Sequence, residues 1–269
     1  EVMATLKDVK RIVIKVGTSS LTHSTGKTNI RQMKRLVTVI SDIVNSGIEV
    51  ALVSSGAIGV GVGKLGLKER PVTTAGKQAA ATVGQCELMF MYDKMFGEYG
   101  HKVGQFLVTK RDVDNLESRD NLINAFERTL EFGAIPVINE NDVVAVEEIV
   151  YGDNDNLSAI VAKLIKADAL FILTDIDGLY DANPNENEYA RIIPVVEEIT
   201  EGLFELAGGK GSKFGTGGMI TKLQAAQIAT EAGIDTVIMN GGDPENLYKI
   251  LEGHQVGTFF VAKDKEQSR

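Results

Sequence analysis

Short apolar runs alternate along the chain with longer segments of helical period. Residues Arg11–Val16 (Arg-Ile-Val-Ile-Lys-Val) are β-branched and end at Gly17, which predicts a strand feeding a turn. From Ile30, apolar residues recur at Met33, Val37, Ile40 and Val44, steps of three and four that line one helix face, and Gly47 closes it. Residues 49–54 predict a second strand. A loop follows with Gly56, Gly59, Gly61, Gly63 and Gly66, and then a helix over 74–99. The alternation predicts strands at 103–109, 135–138, 169–174, 236–239 and 257–262, and helices at 118–132, 157–165, 221–232 and 244–251. Segments 139–156 and 181–213 read as irregular insertions, the kind of long loop in which sites are built.

Several strands (Ile-Val-Ile, Ala-Leu-Val, Leu-Phe-Ile-Leu) are apolar throughout, as expected of parallel strands covered on both faces. The expected fold class is therefore α/β, a three-layer α/β/α sandwich with a central, mainly parallel sheet. No linker, charge block or internal repeat divides the chain, so one domain over 1–269 is expected.

Composition narrows the function. The 269 residues carry 28 Lys+Arg against 37 Asp+Glu, a net charge of -9, so a broad nucleic-acid-binding face is not expected. An anionic ligand would have to be held by a few local cations and backbone amides. One cysteine, Cys86, leaves no intrachain disulfide or Cys-rich zinc site and fits a reducing compartment. No apolar run approaches the ~18 residues of a membrane span, and the first ten residues lack the basic end and apolar middle of a signal peptide. A cytoplasmic location is expected.

Two nucleotide fingerprints fail on spacing. Gly26-Lys27-Thr28 ends like a P-loop, but Leu21 stands where its first glycine belongs. Gly61 to Gly66 matches the dinucleotide letters but does not follow the strand directly. Other positions carry more chemistry. Lys15 lies inside the first strand, where burial is costly without an anion, and Gly17 with the hydroxyls after it offers backbone amides; a lysine snorkelling to water is the simpler alternative. Ser54-Ser55-Gly56-Ala57 sits where α/β folds bind ligands, although an N-cap serine explains it equally well. Asn139-Glu140-Asn141-Asp142 and Gly152-Asp153-Asn154-Asp155-Asn156 gather acids and amides. Solvated turns account for such residues, and Leu157 disfavours a calcium loop. Thr216-Gly217-Gly218-Met219-Ile220-Thr221-Lys222 opens a helix with glycines and a cation, an arrangement suited to phosphate.

Taken in order, these blocks resemble the amino-acid kinase superfamily, and within it the glutamate 5-kinases. The resemblance runs from about Val9 to Ala262. It rests on Val13 to Ser19, Val53 to Ile58, Pro136 to Asp142, Gly152 to Ala159, Leu173-Thr174-Asp175 with Gly178-Leu179-Tyr180, and Gly215 to Lys222. It implies transfer of the γ-phosphoryl of ATP, with Mg2+, to the γ-carboxylate of L-glutamate, giving L-glutamyl 5-phosphate, the first step of proline biosynthesis. Many members add a C-terminal domain; none is expected here.

By the same resemblance Lys15 holds the migrating phosphoryl group, Lys222 the leaving β/γ bridge, and Asp155 orients both lysines. Gly17 and Gly56 donate amides. Ser55, Gly56, Asp142 and Asn154 bind glutamate, with Asn139 nearby. ATP falls to Lys15, Gly17, Thr174, Asp175 and the run Thr216, Gly217, Gly218, Met219, Ile220, Thr221 and Lys222. No protein ligand of magnesium is assigned. Expected partners are proline as feedback inhibitor, glutamyl phosphate reductase and further copies of the chain in a homo-oligomer, with no nucleic acid and no membrane. The alternatives are another acceptor (acetylglutamate, aspartate, carbamate or a nucleoside monophosphate), a non-catalytic amino-acid sensor, and a nicotinamide-dependent dehydrogenase.

Overall fold

In a computed structural model, residues 2–145, 154–208 and 218–263 are described. They fall into two compact units. One comprises residues 1–15 with 155–269, and the other is Val16–Asn154.

The first unit begins with a 3-10 helix (Val2–Asp8) and strand β1 (Arg11–Val16), whose last residue opens the second unit. β1 is buried from Ile12 onward, in keeping with its apolar residues on both faces, and that burial includes Lys15.

The second unit holds α1 (Thr18–Leu21), α2 (Ile30–Asn45), β2 (Glu49–Ser54), α3 (Ala57–Leu65), α4 (Thr74–Gly97), β3 (Lys102–Val108), α5 (Lys110–Asp114), α6 (Leu116–Glu131) and β4 (Ala134–Glu140). Its strands run in the order β3-β4-β2, all parallel, with Leu52 beside Val137 and Lys102 beside Ala134. α2 buries Met33, Val37 and Ile40 of the predicted stripe, while Ile30 at its start is exposed and Val44 near its end half-buried, and Asn29 caps it by accepting from the Gln32 amide at 3.1 Å.

The glycine-rich stretch expected as a loop is instead α3. Its glycines lower helix propensity, but they serve a close helix crossing. A methyl group at Gly61 would lie 1.8 Å from the Ala80 carbonyl oxygen, and one at Gly84 would lie 1.6 Å from that of Ala57. The backbones of α3 and α4 approach so closely that no side chain fits between them. The fingerprint letters of Gly61 to Gly66 are thus helix-packing residues, and a dinucleotide turn there is excluded.

The chain returns to the first unit with α7 (Asp155–Leu164), β5 (Ala169–Thr174), β6 (Val195–Val196), α8 (Glu201–Gly208), α9 (Gly218–Glu231), β7 (Asp235–Asn240), α10 (Asn246–Leu251) and β8 (Thr258–Phe260). Its strands follow the order β1-β5-β7-β8-β6. β5 and β7 are parallel and in register from Ala169 with Asp235 to Thr174 with Asn240, and the antiparallel pair is β7 with β8. All six residues of β5 are buried. Segment 181–213, expected to be irregular, contains β6 and α8; β6 is only two residues long, and α8 packs on α9, so that a Cβ at Gly208 would come within 2.4 Å of Ile220.

Candidate active site

In the first unit, three charged side chains meet in the interior. Lys15 is wholly buried on β1 and Asp155, at the first position of α7, is 1% exposed. The Lys15 Nζ stands 2.9 Å from one Asp155 carboxylate oxygen, and the Lys222 Nζ donates to the other at 3.2 Å. Lys15 therefore does not snorkel, and Asp155 does contact both lysines. Thr221 Oγ1 donates to Asp155 Oδ2 at 2.8 Å, and Lys222 also donates to the Gly218 carbonyl at 3.2 Å, so the first turn of α9 aims its cation at the carboxylate. Among the described residues, two ammonium groups face one carboxylate, so these three side chains together carry one net positive charge. A low-dielectric site of this kind favours an incoming anion.

Burial alone would raise the Asp155 pKa. The charges of Lys15 and Lys222, with hydrogen bonds from Lys15 and Thr221, outweigh it and hold the carboxyl below its ordinary range. Because the folded-state value is depressed, the resulting stabilisation is complete above the unfolded value of about 4 and is lost as pH falls through the folded one. Asp155→Asn is accordingly expected to melt well below the wild type at pH 7, with the gap narrowing below about pH 4. A gap in melting temperature that stays constant from pH 7 to pH 3 would contradict the depressed pKa.

Thr174 closes β5 with its carbonyl bound by the Gly241 amide at 2.7 Å, and its hydroxyl donates to the exposed Asp175 at 3.2 Å. Beside them in sequence, Asp177 accepts from Asn240 at 2.9 Å, a polar pair at the ends of parallel strands that the motif reading missed. Met219 is buried at the start of α9, and Ile220 is half-buried. Thr216 and Gly217, like Gly152 and Asp153, lie outside the described residues.

The second unit holds the other candidates. Gly17 precedes α1 in extended conformation, and Gly56 precedes α3 with φ +106°, a left-handed geometry that strains any other residue. Neither helix start carries a side-chain cap, so the N-cap reading of Ser54 and Ser55 does not hold. Ser54 is instead bonded to the buried Tyr92 hydroxyl at 2.7 Å; the Ser55 amide donates to the Val16 carbonyl at 3.1 Å and its side chain is buried.

At the end of β4, Asn139 is 4% exposed. Its Oδ1 accepts from the Glu140 amide at 2.8 Å and from Asn154 Nδ2 at 2.6 Å, while its Nδ2 donates to Gln85 at 2.8 Å. Asn154 has φ +58°, tolerated by asparagine better than by most residues. Asp142 is half-buried, and burial, partly offset by the charge of Arg70, pushes its carboxyl up to about 6. A desolvated carboxylate of this kind is suited to a ligand ammonium. Arg70 and Gln85 are the participants with no motif to announce them.

Among the described residues no group of three or more His, Cys, Asp or Glu side chains could hold a metal ion, and no helix is long and apolar enough to cross a membrane.

Comparison with known proteins bears on the family and the fold. Residues 10–240 match the amino acid kinase family model. Glutamate 5-kinase of Clostridium perfringens is 54% identical over 265 residues, covering 97% of this chain and 98% of that one, and glutamate 5-kinase of Listeria innocua is 52% identical with 98% and 97% covered. Among solved structures, a UMP kinase of Bacillus anthracis aligns with a TM-score of 0.63 at 17% identity over 95% of this chain and 97% of that one. A carbamate kinase of Giardia lamblia bound to AMP-PNP gives 0.64 at 16% identity over 96% and 100%. The two structures share the fold: a mostly parallel sheet flanked by helices. A family match over most of the sequence, with relatives above half identity over nearly their whole length, places the chain in the amino acid kinase family.

Proposed function

We propose that the protein transfers the γ-phosphoryl group of ATP to the γ-carboxylate of L-glutamate, the reaction that opens proline biosynthesis. The observation that carries this reading is the buried Lys15–Asp155–Lys222 cluster with its surplus positive charge. The γ-carboxylate of glutamate is ionised at neutral pH, so a carboxylate oxygen attacks the γ-phosphorus without a general base, the bond to the bridging oxygen breaks and ADP leaves. The obstacle is the approach of an anion to a polyanion, and charge neutralisation with positioning must supply the catalysis. Lys15 is assigned to the migrating phosphoryl oxygens and Lys222 to the bridge, with Asp155 holding both. Thr174, Asp175 and residues 216–222 are assigned to ATP, as is the amide of Gly17. Ser55, Gly56, Asn139, Asp142 and Asn154 are assigned to glutamate. Magnesium would accompany the nucleotide phosphates and water, where it would neutralise charge.

Asp142 favours glutamate over an acetylated acceptor, because a free ammonium group compensates a desolvated carboxylate and an acetamide does not. Inhibition by proline, delivery of the acyl phosphate to glutamyl phosphate reductase, homo-oligomeric assembly and a cytoplasmic location belong to the same proposal.

The test is trapping of the acyl phosphate with hydroxylamine, using purified protein, ATP, magnesium and a panel of acids. Hydroxamate is expected from glutamate at a rate at least tenfold above aspartate or acetylglutamate. Equal rates across the panel would overturn the assignment.

A further inference from the structure

Four side-chain amides form a chain in the second unit. Gln105 on β3 accepts from Gln85 Nε2 at 3.2 Å, Gln85 Oε1 on α4 accepts from Asn139 Nδ2 at 2.8 Å, and Asn139 Oδ1 accepts from Asn154 Nδ2 at 2.6 Å. We propose that Gln85 is a positioning residue for glutamate: it locks Asn139 in the one amide orientation that makes Asn154 turn its side-chain oxygen to the substrate. The proposal rests on the reading that this unit binds glutamate.

The direction of the chain is set by one group that has no choice. The Glu140 backbone N–H can only donate, and it donates to Asn139 at 2.8 Å, so the atom facing it is the oxygen. The nitrogen of Asn139 must then face Gln85, which answers with its own oxygen. On the other side, the Asn139 oxygen leaves room only for a donor, so Asn154 spends Nδ2 inward. Its Oδ1 carries no hydrogen bond from the described residues, and it is an acceptor. An acceptor matches an ammonium group and is mismatched to a carboxylate.

Gln85 is the switch point because Asn139 is almost fully buried and cannot recruit bulk water in its place. Without an acceptor at position 85, the orientation that the Glu140 N–H selects leaves the Asn139 NH₂ buried and unpaired. The flipped amide is no better, since it would set that NH₂ against two other donors, the Glu140 N–H and the Asn154 NH₂, so the hold on Asn154 is weakened in either orientation. Gln105 is exposed and replaceable by water, so the outer end of the chain contributes little.

The experiment is steady-state kinetics of Gln85→Leu, Gln85→Met and Gln85→Glu beside the wild type, with melting temperatures as a check of folding. Gln85→Leu and Gln85→Met, which remove the acceptor and keep bulk, are expected to raise the glutamate KM about tenfold while kcat and the ATP KM stay within about twofold. Gln85→Glu keeps an acceptor for Asn139 and is expected to recover most of that loss. If Leu fails to fold, Met reads the same quantity. The proposal is overturned by an unchanged glutamate KM in the folded acceptor-less variant. It is equally overturned by glutamate and ATP KM rising together, or by Glu behaving no better than Met. Hydroxamate formation by the wild type tests the underlying glutamate reading separately, so the two failures are distinguishable.

Discussion

Replacing Lys222 with alanine is expected to lower kcat by about 10²-fold or more while ATP affinity changes comparatively little. The ammonium is fixed before any substrate arrives, between Asp155 Oδ2 and the Gly218 carbonyl, each 3.2 Å away. A preorganised charge acts most strongly where charge grows during reaction, and the β/γ bridging oxygen becomes more negative as its bond breaks. Removal leaves Lys15 and Asp155 as a neutral pair, so the surplus positive charge disappears without stranding an unpaired ion, and the variant is expected to fold. Lys222→Arg is expected to rescue only in part. A planar guanidinium does not replace a compact ammonium in a pocket that leaves the side chain 7% exposed. Single-turnover phosphoryl transfer beside equilibrium nucleotide binding is the deciding pair of measurements. A near-wild-type single-turnover rate, or a defect lying wholly in ATP binding, would remove Lys222 from the transition state.

The second large effect is expected at Asp142, and it has two opposite signs. Asp142→Asn should raise the glutamate KM about ten- to hundredfold, the loss of a charge-assisted contact of roughly 1.5–3 kcal/mol, with the ATP KM nearly unchanged. The same substitution should stabilise the protein. A carboxyl whose folded-state pKa is raised to about 6 destabilises the fold once it ionises, a cost that is absent below the unfolded value of about 4 and complete above about 6. Relief of that cost is expected to be about 1 kcal/mol after allowance for solvent screening at a half-buried group. Melting temperatures should therefore favour Asp142→Asn at pH 8 and coincide with the wild type near pH 4. In the wild type the glutamate KM should rise as pH falls below about 6. A variant that loses glutamate binding and stability together would point to a structural Asp142 instead.

How much could be read from the chain depended on whether the deciding forces were local. β1 and β5 were legible to the residue because a short, mostly apolar run bounded by turn signals has few other uses, and most of the α2 stripe because its period is its packing face. α3 was illegible because glycine weakens a helix locally and rewards it only through a neighbour, here Ala80 and Gly84 on α4. Lys15 was ambiguous for the same reason: nothing within the strand distinguishes a lysine that reaches water from one that meets a carboxylate at residue 155. The motifs of the resemblance pair Lys15 with Asp155, and in the structure the two stand 2.9 Å apart. Gln85 carried no signal of any kind, since a glutamine in a helix acquires meaning only from the asparagine it faces across the fold.

Lys15 and Asp155 flank the whole of Val16–Asn154, the last residue before the second unit and the first after it. On the ribosome the order of emergence follows. β1 leaves the exit tunnel with its lysine hydrated, because the carboxylate that will neutralise it has yet to be translated. The inserted unit is complete in sequence before the interrupted one can close its charge cluster, so the interrupted unit has the higher contact order and is the later to mature. A nascent chain stalled before residue 155 would carry every residue proposed above to bind glutamate and only one of the three charges of the buried cluster.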